Sequence, residues 1–181
     1  MSGSTQQYNF RDLEILIVDD NDFAHNILRD ILLAMKIKKI RHASSASDAI
    51  HEIDNKLPDI LFVDLLMKPV DGFELIKGVR AHSSEDVRHL PVLVITAYSS
   101  VEHVKRARDM GASEVLCKPI SVTSVYDRLV YMRNSPRQFV KTEMYTGPDR
   151  RRTMRGFEGI DRRQPTDEAA DAQNSESDNG E

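Results

Sequence analysis

Short apolar runs alternate with amphipathic segments from about residue 12 to residue 133. The runs at 14–18, 38–43, 59–63, 91–96 and 114–117 have the length of strands, and most are near-continuous Ile, Leu and Val, the composition of strands buried on both faces. Between them, apolar positions recur at helical spacing. Ala24, Ile27, Leu28, Ile31, Leu32 and Met35 share one face, and so do Ala46, Ala49, Ile50 and Ile53. Phe73, Ile76, Val79 and Arg80 follow the turn at Asp71-Gly72. Val101, Val104, Ala107 and Met110 run to a stop at Gly111, and Val122, Val125, Leu129 and Met132 form a last helix. Five strands alternating with five helices predict an α/β fold, a parallel sheet covered on both sides.

The polar residues that end these runs are not typical loop residues. Asp19 and Asp20 follow Ile15-Leu16-Ile17-Val18, and Asp64 follows Ile60-Leu61-Phe62-Val63. Thr96 ends Val92-Leu93-Val94-Ile95, and Lys118-Pro119 follows Val115-Leu116-Cys117. In an open parallel sheet these ends share one rim, where such sheets bind ligands. Three acids, a hydroxyl and an ammonium there make a site for a divalent cation and a phosphoryl group.

Composition narrows the class. The 181 residues fit one ordinary domain plus an appendage, and 40% hydrophobic content can supply a core. A net charge of −4 gives no general affinity for nucleic acid or anionic membrane, and no apolar stretch reaches the roughly 18–20 residues of a membrane helix. The N-terminus lacks the basic and apolar regions of a secretory signal, and a single cysteine excludes an internal disulfide or Cys-based zinc site, so a cytoplasmic protein is expected. Charge is unevenly placed toward the end. Residues 149–163 hold six arginines against three acids, whereas 165–181 hold six acids and no Lys or Arg. The acidic stretch has too little apolar surface to offset chain entropy and reads as disordered. The expected organisation is a flexible start (1–11), a domain (12–133), an Arg-rich extension (134–164) and an acidic tail (165–181). Within the extension, Gly147-Pro-Asp-Arg-Arg-Arg152 and Gly159-Ile-Asp-Arg-Arg-Gln164 repeat a short motif at an offset of 12 residues. Phe139, Tyr145 and Phe157 are its candidate anchors if the segment orders on a partner.

At the rim, Asp20 and Asp64 suit direct ligation of Mg²⁺, a hard cation that takes one or two carboxylates plus waters and substrate oxygens. Asp19 acts directly or through water, while Asp22 suits a helix cap. Asp64 has no capping role of its own and could serve as ligand or nucleophile; carboxylate nucleophiles form aspartyl phosphates. Lys118 and Thr96 could neutralise and hydrogen-bond a phosphoryl group. Lys118 precedes Pro119, and such bonds adopt the cis form at modest cost. The six histidines show no metal-ligand spacing, phosphotransfer through His25 is not expected, and Cys117 reads as a small buried hydrophobe.

These motifs together resemble the receiver domain of two-component response regulators. Val18-Asp19-Asp20, Val63-Asp64, Met67-x-x-x-Asp71-Gly72, Ile95-Thr96-Ala97 and Cys117-Lys118-Pro119-Ile120 occur in that family's order. The resemblance implies a (βα)5 flavodoxin-like fold of strand order 2-1-3-4-5. It implies phosphorylation of Asp64 by a phosphohistidine on a sensor histidine kinase or histidine phosphotransfer protein. It also implies Mg²⁺ held by Asp20, Asp64 and the Leu66 carbonyl, with Asp19 completing the pocket and Thr96 and Lys118 contacting the phosphoryl group. The expected role is a stand-alone regulator that signals to a downstream protein, catalysing only its own phosphorylation and dephosphorylation.

Three departures stand out. The family's aromatic switch position, three before the lysine, is Val115, so transmission is expected through the Thr96–Met110 segment, with Tyr98 taking part of the role. Leu66 replaces a commonly polar residue two beyond Asp64; with Tyr98 it would crowd an attacking water and slow dephosphorylation. The proline usually next to the methionine is displaced to Pro69. Two rival readings stay open on the residues alone. One is a haloacid-dehalogenase-type phosphatase with Asp20 as nucleophile in Asp20-Asn21-Asp22. The other is a transcriptional adaptor using the Arg-rich tail, although nucleic acid binding is not expected against the acidic end.

Overall fold

Side chains on both sides of an Ile-Leu-Ile-Val run can leave water only if the strand lies between two layers of helix. In a computed structural model, which describes residues 8–135, 138–142 and 145–149, that arrangement holds. Strand β1 (Glu14–Val18), β3 (Ile60–Asp64) and β4 (Val92–Thr96) are buried along their whole length. They lie at the centre of a parallel sheet of order β2-β1-β3-β4-β5, with the polar β2 (Lys39–Ala43) and the short β5 (Glu114–Cys117) as its edges. This is the flavodoxin-like order expected.

Alternation along each strand divides the core in two. Leu16, Val18, Leu61, Val63, Val92 and Val94 face α2 (Ala46–Asn55), α3 (Gly72–Arg80) and α5 (Val101–Asp109). Ile15, Ile17, Phe62, Leu93 and Ile95 face α1 (Asp22–Ala34) and α6 (Val122–Asn134), through Leu28, Leu32, Val125 and Leu129. Each fully buried Leu or Ile contributes about 1.5–3 kcal/mol relative to exposure, so the two clusters fix the rim that the strand ends form. These five helices begin at side-chain caps: Ser45 accepts from Asp48 N–H, Asp71 from Glu74 N–H, Ser100 from His103 N–H, and Ser121 with Ser124 forms a capping box. For α1 the cap is Asn21, accepting from the N–H groups of Phe23 and Ala24, and the expected cap Asp22 lies inside the first turn.

Two elements were not expected. A sixth helix, α4 (Glu85–His89), intervenes before β4; with five residues and only Val87 buried, it is too short to show a period. Beyond α6, β6 (Phe139–Lys141) and β7 (Thr146–Pro148) pair antiparallel as a hairpin. Three-residue strands carry too little alternation to be read from sequence. Phe139 and Tyr145, expected as anchors for a partner, are instead used internally: Phe139 packs edge-on against His89 at 4.1 Å between ring centroids, and Tyr145 O–H donates to the Pro148 carbonyl at 2.7 Å. Most of the Arg-rich repeat, Phe157 and the acidic tail lie outside the described residues.

Candidate functional site

Parallel pairing brings the strand ends to one edge. Asp64 pairs with Ile95 and Thr96 with Cys117, so the residues that follow each strand converge on the same rim. Lys118 N–H donates to the Thr96 carbonyl at 2.8 Å, which holds the start of the β5–α6 loop against β4. The Lys118-Pro119 peptide is cis, as is Lys68-Pro69. The ammonium of Lys118 lies 2.5 Å from Asp64 Oδ2 and 3.5 Å from Asp19 Oδ2.

Each acid has a distinct setting. Asp64 is buried and its Oδ1 accepts from Leu66 N–H at 3.0 Å, leaving Oδ2 toward Lys118. Asp19 is buried, with Oδ1 accepting from Asn21 N–H at 2.9 Å. Asp20 is exposed, and its Oδ2 accepts from Lys68 N–H at 3.1 Å, tying the β1 end to the β3–α3 loop. Thr96 is buried; its hydroxyl oxygen accepts from Tyr98 N–H at 3.1 Å and carries a proton to donate. Behind the site, Gly72 presses on β3: a Cβ there would stand 2.2 Å from the Asp64 carbonyl oxygen, so only glycine permits this approach.

Electrostatics follow from the two carboxylates of Asp64 and Asp19 around one ammonium. Burial pushes the Asp19 carboxyl above its ordinary range, and the nearby Asp64 charge adds to this against the Asn21 hydrogen bond and Lys118. Burial draws the Lys118 ammonium down, but its hydrogen bond to Asp64 and the charges of Asp64 and Asp19 outweigh that and carry it upward. The site is thus short of positive charge. Among the described residues no three His, Cys, Asp or Glu side chains converge as a ready-made cation cage; the Lys118 ammonium sits between two of the acids instead. Mg²⁺ does not need such a cage, because waters fill most of its shell. The carboxylates brought to this rim are those of Asp19, Asp20 and Asp64.

Apolar side chains surround these acids. Phe23 (74% exposed), Leu66, Val70, Tyr98, Val101 (84% exposed) and Val122 all stand in water near the starts of helices or in loops on this rim. Sequence periodicity cannot find such a collar, because its members come from three helices and two loops. Tyr98 stacks on His103 at 4.4 Å, and Ser100 Oγ lies 2.6 Å from His103 Nδ1. Val115 is half-buried and packs on the core cluster shared with α5, as does Met110. Cys117, expected buried, is half-buried at the rim.

Two further groups escaped the sequence reading. His25 on α1 stacks on His42 of β2 at 3.8 Å, and His42 Nε2 lies 3.0 Å from the Asp19 carbonyl. They are 17 positions apart, so spacing gives no signal. Arg80, counted as part of an apolar stripe, is a buried charge at the opposite end of α3 from the acids.

A family model described as the response regulator receiver domain matches residues 15–130. The polar-differentiation response regulator DivK of Brucella ovis is 31% identical over 108 residues, covering 60% of this chain and 85% of that protein. Among solved structures, a response regulator described as putative from Chloroflexus aurantiacus J-10-fl is 32% identical, covers 65% of this chain and 93% of its own, and superposes with a TM-score of 0.61. The chemotaxis protein CheY4 of Vibrio cholerae shares the fold at 24% identity and a TM-score of 0.60, over 65% of this chain and 96% of its own.

Proposed function

The chain belongs to the response regulator receiver domain family, and on that premise we propose that Asp64 accepts a phosphoryl group from a phosphohistidine and that the product signals through protein contacts. Receivers of this family are signalling proteins that work with kinases or phosphotransfer proteins and with downstream targets. The observation that carries the reading is the placement of Asp64, a buried carboxylate with one oxygen held by Leu66 N–H and the other 2.5 Å from Lys118 Nζ. In the proposed step a carboxylate oxygen of Asp64 attacks phosphorus as the P–N bond to the partner imidazole breaks. The imidazole leaves with the bonding pair and takes a proton.

Mg²⁺, held by Asp20 and Asp64 with the Leu66 carbonyl and with Asp19 closing the pocket, would neutralise charge on the phosphoryl oxygens. The presence of three carboxylates on this rim against the single ammonium of Lys118 supports that donor set. Lys118 then exchanges its Asp64 contact for a phosphoryl oxygen, and the Thr96 hydroxyl donates to another. Moving Thr96 pulls on Tyr98, whose N–H it already accepts from, and so on the start of α5. With Val115 in place of an aromatic ring, the β4–α5 loop and α5 carry the change. The exposed apolar side chains on this rim support docking of the phosphohistidine partner around Asp64, since apolar groups left in water beside a polar site mark interaction surfaces. Leu66 and Tyr98 in that collar also restrict water near the acyl phosphate, which favours a long-lived product.

The test is reaction of the full chain with phosphoramidate, a small donor that also presents a P–N bond, followed by peptide mass mapping. The expected result is one Mg²⁺-dependent phosphoryl group on Asp64, absent in Asp64→Asn. Label on Asp20 instead, or sustained turnover of phosphomonoesters, would favour a phosphatase and overturn the assignment.

A further inference from the structure

The hairpin and the acid site lie at opposite ends of the sheet, and α5 runs between them. Its N-terminal end follows Thr96 and Tyr98, and its C-terminal end is Gly111, in the left-handed region at φ +101°. Helix α5 is thinly attached: among its residues only Ala107 is buried, although Arg106 covers the ring of Phe73 at 4.0 Å. An element with few buried contacts can shift at low cost.

Gly111 follows α5 at the end of the sheet opposite the acids, the base of the domain. Its carbonyl accepts from Arg80 Nε at 3.0 Å and Nη2 at 2.8 Å, while Arg80 Nη1 donates to the carbonyls of Arg88 at 2.7 Å and Leu90 at 2.8 Å. The same guanidinium faces the Phe139 ring at 5.5 Å, and His89 meets that ring from its edge. From β7, Gly147 comes close enough that a Cβ on it would stand 3.1 Å from Gly111 Cα. The end of α5, Arg80 and the hairpin therefore form one contact group. On its other side the hairpin is not packed tight: Phe139 and Pro148 border a hollow of about 380 Å³ shared with Phe10, Leu129 and Met132.

We propose that the 139–148 hairpin is an output element, latched to the base by Phe139 and Gly147 and released when α5 shifts after phosphoryl transfer to Asp64. The phosphoryl trigger rests on the function proposed above; the coupling of hairpin to α5 does not. By reciprocity, anything that loosens the hairpin must also alter α5.

Hydrogen–deuterium exchange of the full chain, with and without Mg²⁺ and beryllofluoride as the phosphoryl mimic, tests this. Ligand-free Phe139→Ala and Gly147→Ala proteins are measured alongside. The expected result is a change at 96–100 together with roughly fivefold faster exchange at 139–148. A change at 96–100 with 139–148 unaltered overturns the proposal. If 96–100 does not respond, the phosphoryl reading fails, and the two variants decide the coupling: faster exchange across 101–110 in both supports the latch, and unaltered exchange overturns it.

Discussion

Asp19 is held buried beside another carboxylate, and its raised pKa states the consequence: ionising it works against the fold. For an acid raised above its unfolded value, stability is complete below that value, here 3.8, and declines as pH rises through the folded one. The ligand-free protein should therefore lose stability above that point. Asp19→Asn should remove the decline and gain about 1 kcal/mol at neutral pH, seen as ~2–4 °C in thermal melts. The same variant should lose most of the stabilisation that added Mg²⁺ gives the parent. Under the proposed function Leu66 acts on the phosphorylated product rather than on the fold, since its side chain is 46% exposed and its N–H binds Asp64. Leu66→Asn should admit and orient water and shorten the phosphoryl lifetime by on the order of tenfold, a change of about 1.4 kcal/mol in the barrier. Radiolabel retention on Asp64 against time would show it, and an unchanged lifetime would remove Leu66 from that role.

Helices and strands show what the sequence made legible. All five apolar runs are strands and all five periodic segments are helices, because burial on two faces or one stripe leaves a pattern in composition. Asp19, Asp20, Asp64, Thr96 and Lys118 stood out for the same reason, since they lie at the ends of such runs, and parallel pairing brings those ends to one rim. Helix α4 and the hairpin were not legible, since five- and three-residue elements are too short to repeat. Arg80 was misjudged because its spacing matched Ile76 and Val79. Its burial is sustained by three carbonyls, those of Arg88 in the last turn of α4, Leu90 just after it and Gly111 after α5, and burial lowers its pKa to about 10. It stays charged at neutral pH. Arg80→Met should leave those carbonyls without a buried donor and cost ~2–4 kcal/mol, read as a lower urea midpoint at unchanged slope.

Among the described residues, the acid cluster lies at one end of the sheet and the added hairpin at the other. Ending the chain at residue 135 should leave Mg²⁺-dependent phosphoryl uptake by Asp64 intact. It should lower stability by about 1 kcal/mol, since Arg80 and His89 lose the Phe139 ring and the base loses the buried Gly147 and Pro148. A melt of the shortened chain beside the phosphoramidate assay checks both halves of that statement. Among the described residues no helix is long and apolar enough to cross a membrane. The close seat of Gly72 under the Asp64 carbonyl has a consequence of another kind. A library of all amino acids at position 72 should return glycine alone among active clones, while one at position 66 returns many. Descendants of this protein are free to retune the clock at 66, but at 72 inheritance has no slack.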